Sequence, residues 1–297
     1  MIRAPLVSRL AAQVDVMPIC PEVEIGLGVP RDPIRLVRGA SGPALLQPAT
    51  GRDLTAAMDS FASRFLAALP EVEGFLLKAR SPSCGIHGVK VFLDDVAQAP
   101  VERGTGRFAA SVLDAFPYHP VEHEGRLANP RLLDWFLARL FALADLRSTR
   151  DRDASVAGLA TLHERHRLTL IAWVPERRDA LDRIVADARS GSRGPRDAWD
   201  GYLRGFRRAL ARPVRAHAHL RVIEDVVESL DDLLPAAERE RLGELVEGCR
   251  TGHVLRRVLL AAVREQAERS APQLVSQAYL DPYPPELAQL EGGRLTL

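Results

Sequence analysis

Cysteine is scarce in this 297-residue chain: Cys20, Cys84 and Cys249 are an odd, scattered set. That excludes the disulfide framework of a small secreted domain and fits a reducing, cytoplasmic setting. No stretch approaches the roughly eighteen apolar residues of a membrane span, and Met1-Ile2-Arg3-Ala4-Pro5 lacks the apolar core of a signal peptide. Lysine is confined to Lys78 and Lys90; arginine carries the rest of the positive charge, a bias that reflects a GC-rich gene more than function. A net charge of +1 gives no global pull toward nucleic acid, while leaving local basic patches open. What is present, 46% hydrophobic and 27% charged residues, suits a folded soluble protein, and the length points to two domains.

The first half mixes strand and helix signals. Leu6 to Val14 has helical spacing, and Val14 to Ile19 reads as a short strand running into Cys20-Pro21-Glu22. Gly26 to Pro33 is a Pro/Gly-punctuated loop, Ile34 to Val37 alternates like an edge strand, and Gly39 to Gly51 is irregular. Asp53 suits the N-cap of an amphipathic helix from Leu54 to Leu69. Gly74-Phe75-Leu76-Leu77 is a buried strand that breaks into Lys78-Ala79-Arg80-Ser81-Pro82-Ser83-Cys84-Gly85, a turn presenting one thiol. Val89 to Phe92 is a further strand. Arg103 to Phe108 is a glycine-containing turn opening a helix; without a strand directly before it, it reads as a plain turn rather than a phosphate loop. Tyr118 to Val121 is a short strand, and Glu122-His123-Glu124 a solvated loop. Asn129-Pro130 starts a strong helix that fades near Arg147.

Beyond a charged junction at Ser148 to Asp153 the pattern changes. Helical periodicity dominates over 156–174, 178–189, 197–211, 215–233, 235–250 and 254–271. The prolines of Tyr279 to Pro285 exclude helix, so this tail is expected to lie across the domain. We therefore read residues 1–147 as an α/β, Rossmann-like three-layer domain and 154–297 as an all-α helical domain.

Two strand-end cysteines carry the chemistry. Neighbouring parallel strands put their C-terminal ends side by side, so Cys20 and Cys84 can share one site. Cys84, near Lys78 and Arg80, is either a reactive thiol or a small residue packed in a turn. His163 and His166 are spaced by three, not the four of a metalloprotease helix, and read as charged helix surface or a basic contact patch. His217 and His219 point to different faces, and Cys249 is a packing thiol.

These residues carry a resemblance. Val16 to Arg31, with its Cys20-Pro21-Glu22 centre, together with Lys78 to Gly85, Arg103 to Phe108, and Val121 to Leu127 with Asn129-Pro130, resembles domain of unknown function 523, which includes the thiouracil desulfidases. From about Ala154 to Leu290, and best at Gln277 to Leu287, the chain resembles the YbgA-like family, domain of unknown function 1722. The resemblance implies a [4Fe–4S] cluster held by three cysteines, whose open iron takes the sulfur of a small thiolated pyrimidine or related thiocarbonyl in a non-redox desulfuration. Carried over by motif, Cys20 and Cys84 are two ligands. The third belongs to an N-terminal strand and loop that this sequence lacks, so the domain is expected to lack its first strand and the activity to be impaired. From adjacency, Glu22 is expected to move a proton, and Ser81, Ser83 and Lys78 to orient substrate or water. The alternative is a non-catalytic protein whose helical half contacts a protein or RNA through Arg165, His166, Arg167, Arg207 and Arg208.

Overall fold

The computed structural model describes residues 5–39, 42–173, 175–212, 214 and 216–288. They form two compact units: one of the described residues up to Phe136 with Pro285–Ala288, the other from Leu137 to Pro284.

The first unit combines a mixed sheet with helices. Helix α1 (Pro5–Ala11) buries Leu6 and Leu10. The expected strand at 14–19 is irregular, and Val16, Met17 and Ile19 are exposed. An alternating apolar pattern becomes a strand only when a neighbour supplies hydrogen bonds, and among the described residues none does. Cys20 instead caps the short helix α2 (Pro21–Glu24), whose proline takes the first-turn position where a missing N–H costs nothing.

Strands β1 (Arg35–Val37), β2 (Ala44–Gln47) and β3 (Arg52–Asp53) follow, then helix α3 (Thr55–Ala68), strands β4 (Phe75–Leu77), β5 (Val89–Phe92) and β6 (Pro100–Gly104), helix α4 (Arg107–Ala115) and strand β7 (Val121–His123). One sheet has the order β3-β2-β1-β5-β6, with β1 and β5 parallel; β4 and β7 form a separate parallel pair. This corrects three expectations. β1 is the central strand, with Leu36 fully buried, and not an edge. The stretch 42–51 is not simply irregular, since Ala44–Gln47 pairs antiparallel with β1; Ala40 and Ser41 lie outside the described residues. A strand, β6, directly precedes the turn at Gly104 to Gly106. Leu36, Leu45, Met58, Phe61, Val91 and Phe108 share one core, in which α3 and α4 pack together. Thr55 N–H donates to the Asp53 carboxylate at 2.8 Å, so Asp53 starts α3 from just outside it.

Helix α5 (Pro130–Arg152) begins as expected, with Arg131 and Leu132 N–H groups donating to the Asn129 side chain. It continues through the expected junction at 148–152. The second unit is helical: α6 (Val156–Arg165), α7 (Arg167–Trp173), α8 (Pro175–Arg189), α9 (Pro195–Leu210), α10 (Ala216–Glu228), α11 (Ala236–Thr251), α12 (Arg256–Ser270) and α13 (Pro272–Val275). The expected helix ends at Val174 and Arg215 lie outside the described residues. The tail does lie across this unit, burying Tyr279, Leu280 and Tyr283.

Only part of the histidine string is charged surface. The helix expected to run from 156 breaks at His166, which is 1% exposed and meets Asp145 at 2.9 Å; Arg165 binds the same carboxylate. His163 sits between Tyr202 (3.0 Å) and Asp182 (3.0 Å). Arg167 pairs with Glu164. His163, Arg165 and His166 thus meet carboxylates of their own unit, while Arg167 and its partner Glu164 stay at the surface. Cys249 donates to the Val254 carbonyl at 3.2 Å, as a packing thiol would.

Candidate functional site

The site starts at the end of β4, where a Ser-Pro turn folds the chain back. The Ser81 hydroxyl accepts from the N–H groups of Ser83 (3.2 Å) and Cys84 (3.1 Å), and the Ser81 carbonyl accepts from Gly85 N–H (2.8 Å). Serine at the first turn position can supply both acceptors. Arg80 takes a positive φ of 59° to enter the turn. The Cys84 sulfur comes back to the strand end and accepts from the Lys78 backbone N–H.

The N-terminus of α4 grips this turn. Gly106 N–H donates to the Gly85 carbonyl (2.7 Å), Arg107 N–H to Pro82 (3.0 Å) and Ala109 N–H to Ser83 (3.0 Å). Gly106 is close enough that a Cβ there would lie 2.6 Å from the Ser83 carbonyl carbon and oxygen. Gly106 therefore permits this backbone contact, and the helix amides of Gly106, Arg107 and Ala109 that could cradle an anion are spent on the turn's carbonyls. Arg107 anchors the helix from its other side through a two-pronged pair with Asp59 (2.6 and 2.7 Å).

Glu22 joins the second cysteine segment to the first. One carboxylate oxygen accepts from Ser83 Oγ (3.0 Å) and Ser81 Oγ (3.3 Å); the other accepts from Arg31 Nε (2.7 Å). Arg31 also reaches the Gly28 carbonyl (2.8 Å), and its Nη2 lies 3.5 Å from Cys20 Sγ. The structure therefore brings Cys20, Glu22, Ser81, Ser83 and Cys84 together, although no strand carries Cys20. Sequence reasoning gave Arg31 no role, although it closes the Val16 to Arg31 segment that carries the resemblance.

Lys78 turns elsewhere. Its ammonium pairs with Glu124, which also accepts from Ala79 N–H at 2.8 Å. Lys78 and Cys84 therefore share the strand end without their side chains meeting in any described contact. The Glu122-His123-Glu124 segment is no solvated loop, because β7 pairs with β4 and buries Glu122 and His123. His123 Nδ1 accepts from Gly125 and Arg126 N–H, and burial followed by the nearby His87 pushes its pKa down.

Burial pushes the Cys84 thiol up to about 12 from an ordinary 9.0; the negative charges of Glu22 and Cys20 add to the rise, and hydrogen bonds from Ser81 and Lys78 oppose it. The thiol is thus neutral through the physiological range. With the folded value above the unfolded one, the contribution of Cys84 to stability is complete below pH 9 and is lost as pH rises through about 12. We expect alkylation of folded Cys84 by iodoacetamide to stay far slower than that of unfolded chain at pH 9, measured by peptide mass spectrometry. Equal rates would contradict the assigned environment.

Residues 2–124 match the family model described as 2-thiouracil desulfurase, and residues 167–284 match DUF1722, a protein family of unknown function. The chain joins a 2-thiouracil desulfurase-family domain to a DUF1722 domain. No curated protein and no solved structure matches it. The desulfurase-family match covers every residue of the Cys20–Glu22–Cys84 site. DUF1722 covers the helices from α7 onward and the tail. Among the described residues no helix is long and apolar enough to cross a membrane.

The donor set bears on the implied cluster. Cys20 and Cys84 suit two thiolate positions, but among the described residues no group of three Cys, His, Asp or Glu side chains is placed to hold a metal ion. The group beside the Cys20 sulfur is the Arg31 guanidinium, a cation that cannot ligate a metal ion. These residues do not fit a complete three-thiolate cluster.

Proposed function

We propose that the desulfurase-family domain hydrolyses the C=S bond of a small thiolated pyrimidine or related thiocarbonyl at the Cys20–Glu22–Cys84 site. The observation that carries this reading is Glu22, one carboxylate tying both cysteine segments and both serines into a single site within a desulfurase-family domain. Glu22 takes a proton from water as the oxygen attacks the thiocarbonyl carbon, and returns it as the C–S bond breaks. One water is consumed, one hydrogen sulfide leaves, and no oxidant or reductant takes part. To act, Glu22 releases one of its serine donors, and the freed hydroxyl is then available to orient substrate or water. Arg31 keeps a compensating positive charge beside the carboxylate throughout.

The [4Fe–4S] cluster belongs to this proposal as an expectation from the resemblance, with Cys20 and Cys84 as two of its ligands; no step above runs through it. The division into 1–147 and 154–297, the reducing cytoplasmic setting and the Rossmann-like assignment are proposed on the same footing, the last supported by the parallel pairs β1–β5 and β4–β7.

The test is product analysis on the full chain, anaerobically, with and without added iron and sulfide. Incubation with 2-thiouracil and 4-thiouracil is expected to yield the oxo-pyrimidine and, in samples without added sulfide, free sulfide in equal amounts. No oxo-product from either compound under either condition overturns the reading.

A further inference from the structure

From Gln277 to Pro284 the tail of the second unit has neither helix nor strand, yet it buries Tyr279, Leu280 and Tyr283. It is tied down at separate points. Gln277 donates to the Glu164 carbonyl (2.8 Å) and accepts from Leu168 N–H (3.2 Å), Ala278 N–H donates to the Arg165 carbonyl (3.0 Å), and Asp281 pairs with Arg264. The same segment forms one wall of an open-sided pocket opposite Ala138, Phe141 and Thr169. A strap held by point contacts, with no hydrogen-bond ladder of its own, can open without unfolding the helices beneath it.

The strap's aromatic anchor is the ring of His219 on α10. Tyr279 stacks on that ring at 5.8 Å, and Trp173 of α7 meets it edge-on at 4.9 Å. The Tyr279 hydroxyl lies 3.0 Å from Nδ1 and 3.2 Å from the His219 carbonyl, and an Arg256 nitrogen of α12 lies 3.2 Å from the same Nδ1. A guanidinium can only donate, so Nδ1 is an acceptor and the ring is neutral. A proton on Nδ1 would set two donors face to face. Among the described residues the groups that face this ring are Trp173, Arg256 and Tyr279, and none is a carboxylate that could balance an imidazolium. Burial, followed by the Arg256 charge, pushes its pKa from an ordinary 6.5 down to about 2.

We propose that the tail is a pH-sensitive strap, closed while His219 is neutral and released from the pocket wall when that ring takes a proton. The sign follows from linkage. The closed-state pKa lies below the 6.5 of an open, hydrated ring, so the contribution of His219 to closure is complete above pH 6.5 and is lost as pH falls toward 2. Between pH 7.5 and pH 5.5 the balance therefore moves toward the open strap by about tenfold.

The experiment is hydrogen-exchange mass spectrometry on the full chain at pH 7.5, 6.5 and 5.5, with rates corrected for the intrinsic pH dependence of amide exchange. The reporters are Gln277, Ala278 and Leu280, whose N–H groups are hydrogen-bonded in the closed strap. Their corrected protection is expected to fall about tenfold from pH 7.5 to pH 5.5, while that of α9 changes less than about twofold. In His219→Gln, whose amide oxygen still accepts but takes no proton, the fall is expected to stay below about twofold. Should that variant fail to fold, histidine-ring NMR on the unmodified chain decides, since His219 must remain neutral at pH 5.5 wherever the tail is closed. A flat profile in the unmodified chain, the same tenfold fall in His219→Gln, or a charged His219 under a closed tail overturns the proposal.

Discussion

Replacing Glu22 with alanine is expected to lower the stability of the first unit by about 2–3 kcal/mol and to abolish sulfide release. The carboxylate holds Arg31, Ser81 and Ser83 at once. Alanine leaves a guanidinium that is only 23% exposed, and a serine that is fully buried, without their acceptor. Breaking a fully buried ion pair costs about 3–5 kcal/mol, and the partial exposure of this one brings the figure down. On a unit of this size the loss corresponds to a fall in melting temperature of roughly 5–10 °C. Glu22→Gln separates the two roles of the residue. Its amide oxygen still accepts from Arg31 or the serines, so much of the stability is retained, but the side chain can no longer take a proton. The glutamine variant is therefore expected to lose at least about a hundredfold in kcat for thiouracil desulfuration, the scale of general-base catalysis, with a modest change in melting temperature. Unchanged kcat in that variant would reduce Glu22 to a strut between the two cysteine segments.

Gly106→Ala is expected to be as damaging, for a purely steric reason. The backbone angles of Gly106, φ −62° and ψ 148°, suit any residue. An added Cβ, however, would lie 2.6 Å from the Ser83 carbonyl carbon and oxygen and 2.9 Å from Cys84 N, all backbone atoms that cannot swing aside. Relief requires the Cys84 turn to move off the start of α4, which stretches the bonds from Gly106, Arg107 and Ala109 to the turn. We expect a loss of about 2–4 kcal/mol in urea unfolding, the upper range for overpacking. Faster alkylation of Cys84 should accompany it, because the turn opens. Gly243→Ala is the control: nothing lies within 4 Å of its Cβ, and alanine in the middle of α11 should stabilise the helix by up to about 1 kcal/mol. Equal effects at the two glycines would show that the turn contact carries no weight.

Much of the fold was legible because its signals are local. The apolar run of β4 breaking at Pro82, the Asn129-Pro130 start of α5 and the periodicity of the helical half all rest on neighbours within a turn or two. Misreadings came where a distant partner decides. Val14 to Ile19 has a strand's alternation but no described neighbour to pair with. Arg35–Val37 looks like an edge until β2 and β5 flank it. Arg165 and His166 read as surface charge until Asp145, some twenty residues upstream, takes them inward. The turn at Gly104 to Gly106 looks plain in sequence, yet the amides of Gly106, Arg107 and Ala109 grip the Cys84 turn.

By itself, the sequence determined that two cysteines, a glutamate and two serines stand in two short cysteine-bearing segments, and that a mixed α/β half precedes a helical one. Residue type and local spacing are enough for that, since turns, caps and periodicity act over a few residues. Only the tertiary structure decided that Glu22 meets Ser81 and Ser83, about sixty residues away, that Arg31 joins Glu22 to Cys20, and that Lys78 is drawn off by Glu124. Which carboxylate meets which donor depends on how β4 and α4 hold the Cys84 turn, and long-range packing sets that geometry.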